Sequence, residues 1–154
     1  MTTLCCDVLK ALKGKTLVTA ESLTGGGIGA ALTAISGSSE VYKGGIICYT
    51  NWVKENLLQV PAEILEKFGA VSPWTAGYMA GGVRKALDAD VAVSVTGLAG
   101  PGGDDFGNPV GTVFVGYEDQ SCAVVKHFHF TGSREEVRMQ TVEAALKLIL
   151  EKNV

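Results

Sequence analysis

A chain of 154 residues, 47% hydrophobic and 19% charged, has the make-up of one ordinary globular domain. It is long enough to bury about two thirds of the surface its unfolded form exposes. The formal charge of −3 is spread over both signs without a Lys/Arg cluster, which excludes the electrostatic footprint of a nucleic-acid binder. No apolar run approaches the ~18 residues a membrane span needs, and Asp7 interrupts the short apolar stretch at the N-terminus that a secretory signal would require. A cytoplasmic protein with no membrane partner is therefore expected. Cys5, Cys6, Cys48 and Cys122 form no CxxC pair and read as reduced, mostly inert thiols.

No repeat, low-complexity tract or linker divides the chain, so residues 1–154 read as one domain. Leu4, Val8, Leu9 and Leu12 recur at helical spacing, and Gly14 stops that helix. Thr16 to Ala20 is a short strand. Glu21 to Gly27 then turns into a helix expected over about Thr24 to Ile35, followed by a loop at Ser36 to Ser39. Gly45 to Tyr49 reads as the second strand, and Asn51 as the N-cap of a helix carrying Trp52, Lys54, Leu57 and Leu58. Pro61 opens a short helix, and Ser72-Pro73 a longer one to about Leu87. Val91 to Val95 is nearly all apolar, the pattern of a strand covered on both faces. The glycine-rich stretch from Thr96 to Pro109 is a loop. Two strands follow, Val110 to Tyr117 and Cys122 to Phe130, and a last helix runs from Ser133 to Glu151. This order predicts a three-layer α/β/α sandwich with a mixed, mostly parallel sheet and a late antiparallel hairpin.

The chemistry is most visible in Ala20-Glu21-Ser22-Leu23-Thr24-Gly25-Gly26, where a hydroxyl sits at the junction of a strand and a glycine-bearing helix start. Free N–H groups at such a helix N-terminus favour negative charge and could steady an oxyanion near Thr24, Gly25 and Gly26. The alternative is that Ser22 or Thr24 only caps the helix. Gly25 to Ala30 also fits G-x-G-x-x-A, but the second strand ends in Tyr49-Thr50-Asn51, with none of the acid that a dinucleotide fold places there to hold a ribose.

The second informative segment is Tyr49-Thr50-Asn51-Trp52-Val53-Lys54. With Asn51 as N-cap, Lys54 falls in the first turn, where the helix dipole and desolvation would both lower its pKa and suit it to act as a base. A solvated surface lysine is the alternative. Both segments follow strands that should be sheet neighbours, so Ser22 and Lys54 can converge. His127 and His129 alternate along one late strand, and no metal site is assigned to them or elsewhere.

Thr96-Gly97 to Gly103 lacks the Lys-Ser/Thr ending of a P-loop. Its small residues allow close ligand approach, and Thr96 offers a hydroxyl; a purely structural crossover loop fits the composition equally well. Arg134 and Arg138 share a face at the start of the last helix. Either could hold a phosphate, or pair with Glu135 and Glu136 at the surface.

Six blocks together resemble the CinA C-terminal domain family: Ala20 to Gly26, Tyr49-Thr50-Asn51 with Lys54, Gly69 to Ser72, Val95 to Gly103, Pro109 to Val113, and Arg134 to Arg138. They occur in one order over about Leu4 to Leu150. The family's characterised members are nicotinamide-nucleotide amidohydrolases, or NMN deamidases. The resemblance implies a bacterial enzyme of pyridine nucleotide salvage that hydrolyses nicotinamide mononucleotide to nicotinic acid mononucleotide and ammonia, without metal or other cofactor. By position it implies Ser22 as nucleophile, Lys54 as base and Tyr49 as a hydrogen-bonding partner of the pair. Thr96 and Gly97 would line the site, and Arg138 or Arg134 would assist substrate binding. The competing functions are a non-catalytic nucleotide-binding module and a regulatory domain tied to competence or DNA damage. A homo-oligomer is expected, with Trp52, Trp74 and Tyr78 as candidates for its interface or for the core.

Overall fold

The computed structural model describes all 154 residues. Helix α1 (Thr2–Ala11) leads into β1 (Leu17–Glu21) and α2 (Gly27–Thr33); a 3-10 turn at Ser38–Glu40 precedes β2 (Tyr42–Ile47). Three helices follow, α3 (Asn51–Asn56), α4 (Ala62–Phe68) and α5 (Pro73–Ala86). The chain ends with β3 (Val91–Gly97), β4 (Thr112–Glu118), β5 (Ala123–His129) and α6 (Arg134–Asn153).

The five strands form one sheet in the order β2-β1-β3-β4-β5. Strand β1 pairs parallel with β2 and β3, whereas β3-β4 and β4-β5 are antiparallel. The three parallel strands therefore deliver their carboxyl ends to one edge, the place where open α/β sheets bind ligands.

Alternation along the strands builds the three layers. Leu17 on β1, Val91, Val93 and Val95 on β3, and Val113, Val115 and Tyr117 on β4 pack under α1, α2 and α6. The intervening residues Val18, Ala20 and Ala92 face Met79 and Val83 of α5, and Leu65 of α4. All seven residues of β3 except Gly97 are buried, in keeping with its apolar run.

Several boundaries differ from those the sequence suggested. The second strand starts and ends earlier than Gly45 to Tyr49, because Val18 to Glu21 of β1 pair with Gly44 to Ile47. Helix α2 starts at Gly27 and not near Thr24: Gly25 (φ 59°) and Gly26 (φ 101°) lie in the left-handed region, which breaks helical geometry until Gly27. Thr50, with extended backbone, is the N-cap of α3, and Asn51 is already helical. By contrast Ser72 caps α5 by accepting from the Thr75 N–H at 3.0 Å, ahead of Pro73 at the first helical position. Ser133 and Glu136 form a reciprocal capping box on α6. That box fixes where Arg134 and Arg138 leave the helix.

No helix is long and apolar enough to cross a membrane. Trp52, Trp74 and Tyr78 belong to no core cluster; each is about half exposed or more.

Candidate active site

Ser22 directly follows β1, and its N–H extends the sheet by donating to Val95 O of β3 at 3.1 Å. On the other side Cys48 N–H donates to Glu21 O at 2.9 Å, continuing the β1-β2 pairing past Ile47. Ser22 is thus held from both neighbouring strands. Lys54 comes from α3, and its Nζ donates to Ser22 Oγ at 3.0 Å and to Cys48 O at 2.7 Å. Both side chains are buried, Lys54 to within 1% of complete.

Lys54 has no carboxylate partner; the ion pairs are Arg84–Glu118, Lys126–Glu151 and Lys147–Glu143, all elsewhere. Burial without a counter-charge penalises the ammonium form and lowers the Lys54 pKa. A thiolate at Cys48 would oppose this, but burial pushes that thiol up to about 11, so near neutrality it carries no charge. The helix dipole is not the cause expected from sequence. Helix α3 is only six residues long, and Lys54 falls in its last turn, where a dipole favours a cation.

The pair opens into a cavity of about 300 Å³ at the carboxyl edge of the parallel strands. Tyr49, Thr96, Gly97 and Arg134 line it with Ser22 and Lys54. The wall contains no acid, and its basic residues are Lys54 and Arg134. Arg134 donates from Nη1 to Gly100 O at 2.6 Å and from Nη2 to Tyr49 Oη at 3.2 Å, bridging the loops after β3 and β2. Tyr49 is exposed, and its hydroxyl meets Arg134 instead of the Ser22–Lys54 pair. Thr96 donates to Ala70 O at 2.7 Å, which ties the Gly69 to Ser72 segment to the wall. A larger groove of about 510 Å³ runs along α5 beside Trp74, Tyr78 and Lys85, but it contains no nucleophile with a base.

Thr24, Gly25, Gly26 and Arg138 are not among the residues that line the cavity, although Leu23, which joins Ser22 to Thr24, is. The residue that organises them is Glu21, which the sequence reading gave no role. Its buried carboxylate accepts from Thr24 Oγ1 at 2.7 Å, Ile28 N–H at 2.7 Å, Gly29 N–H at 3.0 Å and Thr19 Oγ1 at 3.2 Å. The Ile28 and Gly29 amides at the start of α2 are thereby already occupied by an acid of this chain, whereas the amides of Thr24 to Gly26, where the sequence suggested an oxyanion would be held, do not donate to it. The available signal was an acid at a strand end, seven and eight residues ahead of the helical amides it accepts from. Arg138 in turn donates from Nε to Leu23 O at 2.9 Å and from Nη2 to Thr24 O at 3.3 Å. It grips the turn and not the cavity.

Residues 2–153 match the family described as CinA C-terminal domain. A CinA-like protein of Synechococcus sp. (strain RCC307) is 47% identical over 139 residues, covering 89% of this chain and 33% of that protein. A putative competence-damage inducible protein of Desulforamulus reducens is 44% identical over 135 residues, again covering 33% of its own length. The chain thus spans about a third of the curated relatives it matches. Among solved structures, a CinA superfamily protein from Klebsiella pneumoniae superposes with a TM-score of 0.95 at 36% identity, covering 98% of this chain and 96% of that one. The competence/damage inducible protein CihA from Agrobacterium tumefaciens gives 0.92 at 39%, covering 99% and 95%. Match over nearly every residue, by sequence and by fold, places this chain in the CinA C-terminal domain family.

Proposed function

We propose that this domain hydrolyses the carboxamide of nicotinamide mononucleotide, releasing ammonia and nicotinic acid mononucleotide through a Ser22–Lys54 pair. The observation that carries this is the 3.0 Å contact between a serine at a strand end and a buried lysine with no counter-charge. A structural lysine would be expected to have an acid partner or reach solvent.

With Lys54 neutral, one N–H still serves Cys48 O while the lone pair accepts the Ser22 proton. Ser22 Oγ attacks the carboxamide carbon to give a tetrahedral oxyanion. As that collapses, the C–N bond breaks and protonated Lys54 returns its proton to the departing nitrogen as ammonia. Water, deprotonated by the same amine, then cleaves the acyl ester and frees both the acid and Ser22. The reaction needs no metal in this scheme.

The Arg134 guanidinium at the cavity rim suits the substrate's phosphate. Loop amides of Ala99, Gly100 and Gly102, which donate to no backbone carbonyl, are further donors close by. Incubating the protein with nicotinamide mononucleotide and measuring ammonia and the acid product tests the assignment; Ser22→Ala should release neither. Turnover by Ser22→Ala equal to the parent's would reject Ser22 as nucleophile.

A further inference from the structure

An acyl-transfer serine needs donors for its oxyanion, and here the obvious ones are taken: Ile28 and Gly29 at the start of α2 donate to the Glu21 carboxylate. Within the turn itself, Gly25 N–H donates to Ser22 O at 3.1 Å and Gly27 N–H to Thr24 O at 3.0 Å. The amides of Leu23, Thr24 and Gly26 donate to no backbone carbonyl, and of the three residues Gly26 alone is part-exposed. Thr24 is only 2% exposed, so a partner for its N–H has to come from within the fold or the cavity.

The direction of that N–H is set by Arg138. In a trans peptide the carbonyl and the following N–H point opposite ways, and the one cis bond of the chain lies elsewhere, at Gly100-Pro101. Leu23 O points at the Arg138 guanidinium, so Thr24 N–H points away from that side chain. The two sides of the sheet edge then matter. Glu21 reaches α2 on the α6 side, whereas Ser22 meets Lys54 of α3 on the opposite one. Thr24 N–H thus points away from the Arg138 guanidinium, and Leu23, whose peptide carries it, lines the cavity with Ser22. The planar guanidinium bonds Leu23 O and Thr24 O at once, a fork that a lysine amine does not reproduce.

We infer that Arg138 is a positioning residue: by gripping the carbonyls of Leu23 and Thr24 it presents the Thr24 N–H as the oxyanion donor for Ser22. This presupposes the serine hydrolase proposed above, but not the identity of its amide. It also separates the two arginines of α6, with Arg134 facing ligand and Arg138 facing backbone.

The test uses a fluorophosphonate, which reacts with an activated serine through the same kind of oxyanion and needs no amide substrate. Its labelling rate at Ser22 is measured for the parent, Arg138→Lys and Arg138→Ala, beside kcat and KM for ammonia release and the thermal melt of each variant. Labelling and kcat should fall by roughly tenfold to a hundredfold in both variants, below the loss of a whole donor. KM and the pH dependence should be unchanged, and added guanidinium ion should restore labelling of Arg138→Ala. Labelling within twofold of the parent in either folded variant would overturn the inference. So would a decrease that merely tracks the unfolded fraction, or one that guanidinium leaves untouched. If the parent labels in an Arg138-dependent way but releases no ammonia from nicotinamide mononucleotide, the substrate assignment falls and the role of Arg138 stands.

Discussion

Glu21 and Ser22 are adjacent in the chain yet serve opposite faces of the sheet edge: the carboxylate caps α2 through Ile28 and Gly29, and the hydroxyl meets Lys54 of α3. The period-two alternation of β1 thus keeps an acid within one residue of the proposed nucleophile while turning it away from the amine. Had both pointed the same way, a buried ion pair would hold Lys54 protonated.

Lys54 should be dispensable for folding and essential for turnover. Lys54→Met removes a buried amine and keeps a similar volume, so stability at pH 7 should be unchanged or higher by up to about 2 kcal/mol. Ammonia release should fall by three orders of magnitude or roughly so. Lys54→Arg should be equally inactive, because a guanidinium does not give up its proton. Denaturant midpoints and single-turnover assays read both effects; an active Lys54→Arg enzyme contradicts the assignment of Lys54 as base.

The lowered Lys54 pKa fixes two pH dependences of the same sign. The unfolded chain keeps its lysine proton up to the ordinary value of 10.5, whereas the native state loses it at lower pH. Between those two points the unfolded state binds more protons, so the group's contribution to stability rises with pH there; below the native pKa its full penalty applies. The stability gap between Lys54→Met and parent should therefore shrink as pH approaches 10.5. The rate should also climb with pH as the neutral amine accumulates, and a kcat/KM profile flat from pH 5 to 9 would count against a titrating base.

Glu21→Gln should cost stability more than a surface acid would. The amide's NH2 cannot accept from Ile28, Gly29 or Thr24, so at least one buried donor is orphaned, at about 2 kcal/mol. Activity per folded molecule should also drop, since the turn that bears Ser22 is anchored to this carboxylate. Equilibrium unfolding compared with active-site titration measures the two separately. A variant as stable as the parent would show that the α2 amides are satisfied some other way.

Two glycines of α5 should respond to alanine with opposite signs. At Gly77 a methyl group would meet only Val125 Cγ2 at 3.7 Å, so Gly77→Ala gains helix propensity of up to about 1 kcal/mol. At Gly82 the methyl would lie 2.0 Å from Leu58 O, a backbone atom, and Gly82→Ala should destabilise despite the same propensity gain. Thermal melts of the two variants side by side decide this.

The meeting of Ser22 and Lys54 was readable from sequence because each follows a strand, and strand ends converge where parallel strands are neighbours. The apolar run of β3 and the Ser72-Pro73 and Ser133 starts were also plain, since burial on both faces and helix caps are local in sequence. What was hidden depends on tertiary return. Glu21 looks like a strand-end acid until α2 folds back over it, and Arg138 looks like a phosphate ligand or a surface partner for nearby acids until α6 packs across a residue 115 positions earlier. Of the two causes expected for the Lys54 shift, desolvation holds and the helix dipole does not, because periodicity suggested a helix but not that it would run only six residues.

The hydrogen bond from Ser22 N–H to Val95 O has a temporal consequence. Synthesis delivers Ser22 and Lys54 before Val95, whose carbonyl seats the serine on its inner flank. Until β3 has slotted in beside β1, the hydroxyl lacks a fixed bearing on the amine. On the proposed mechanism, the ability to cleave an amide would therefore arrive only once the middle of the sheet is closed.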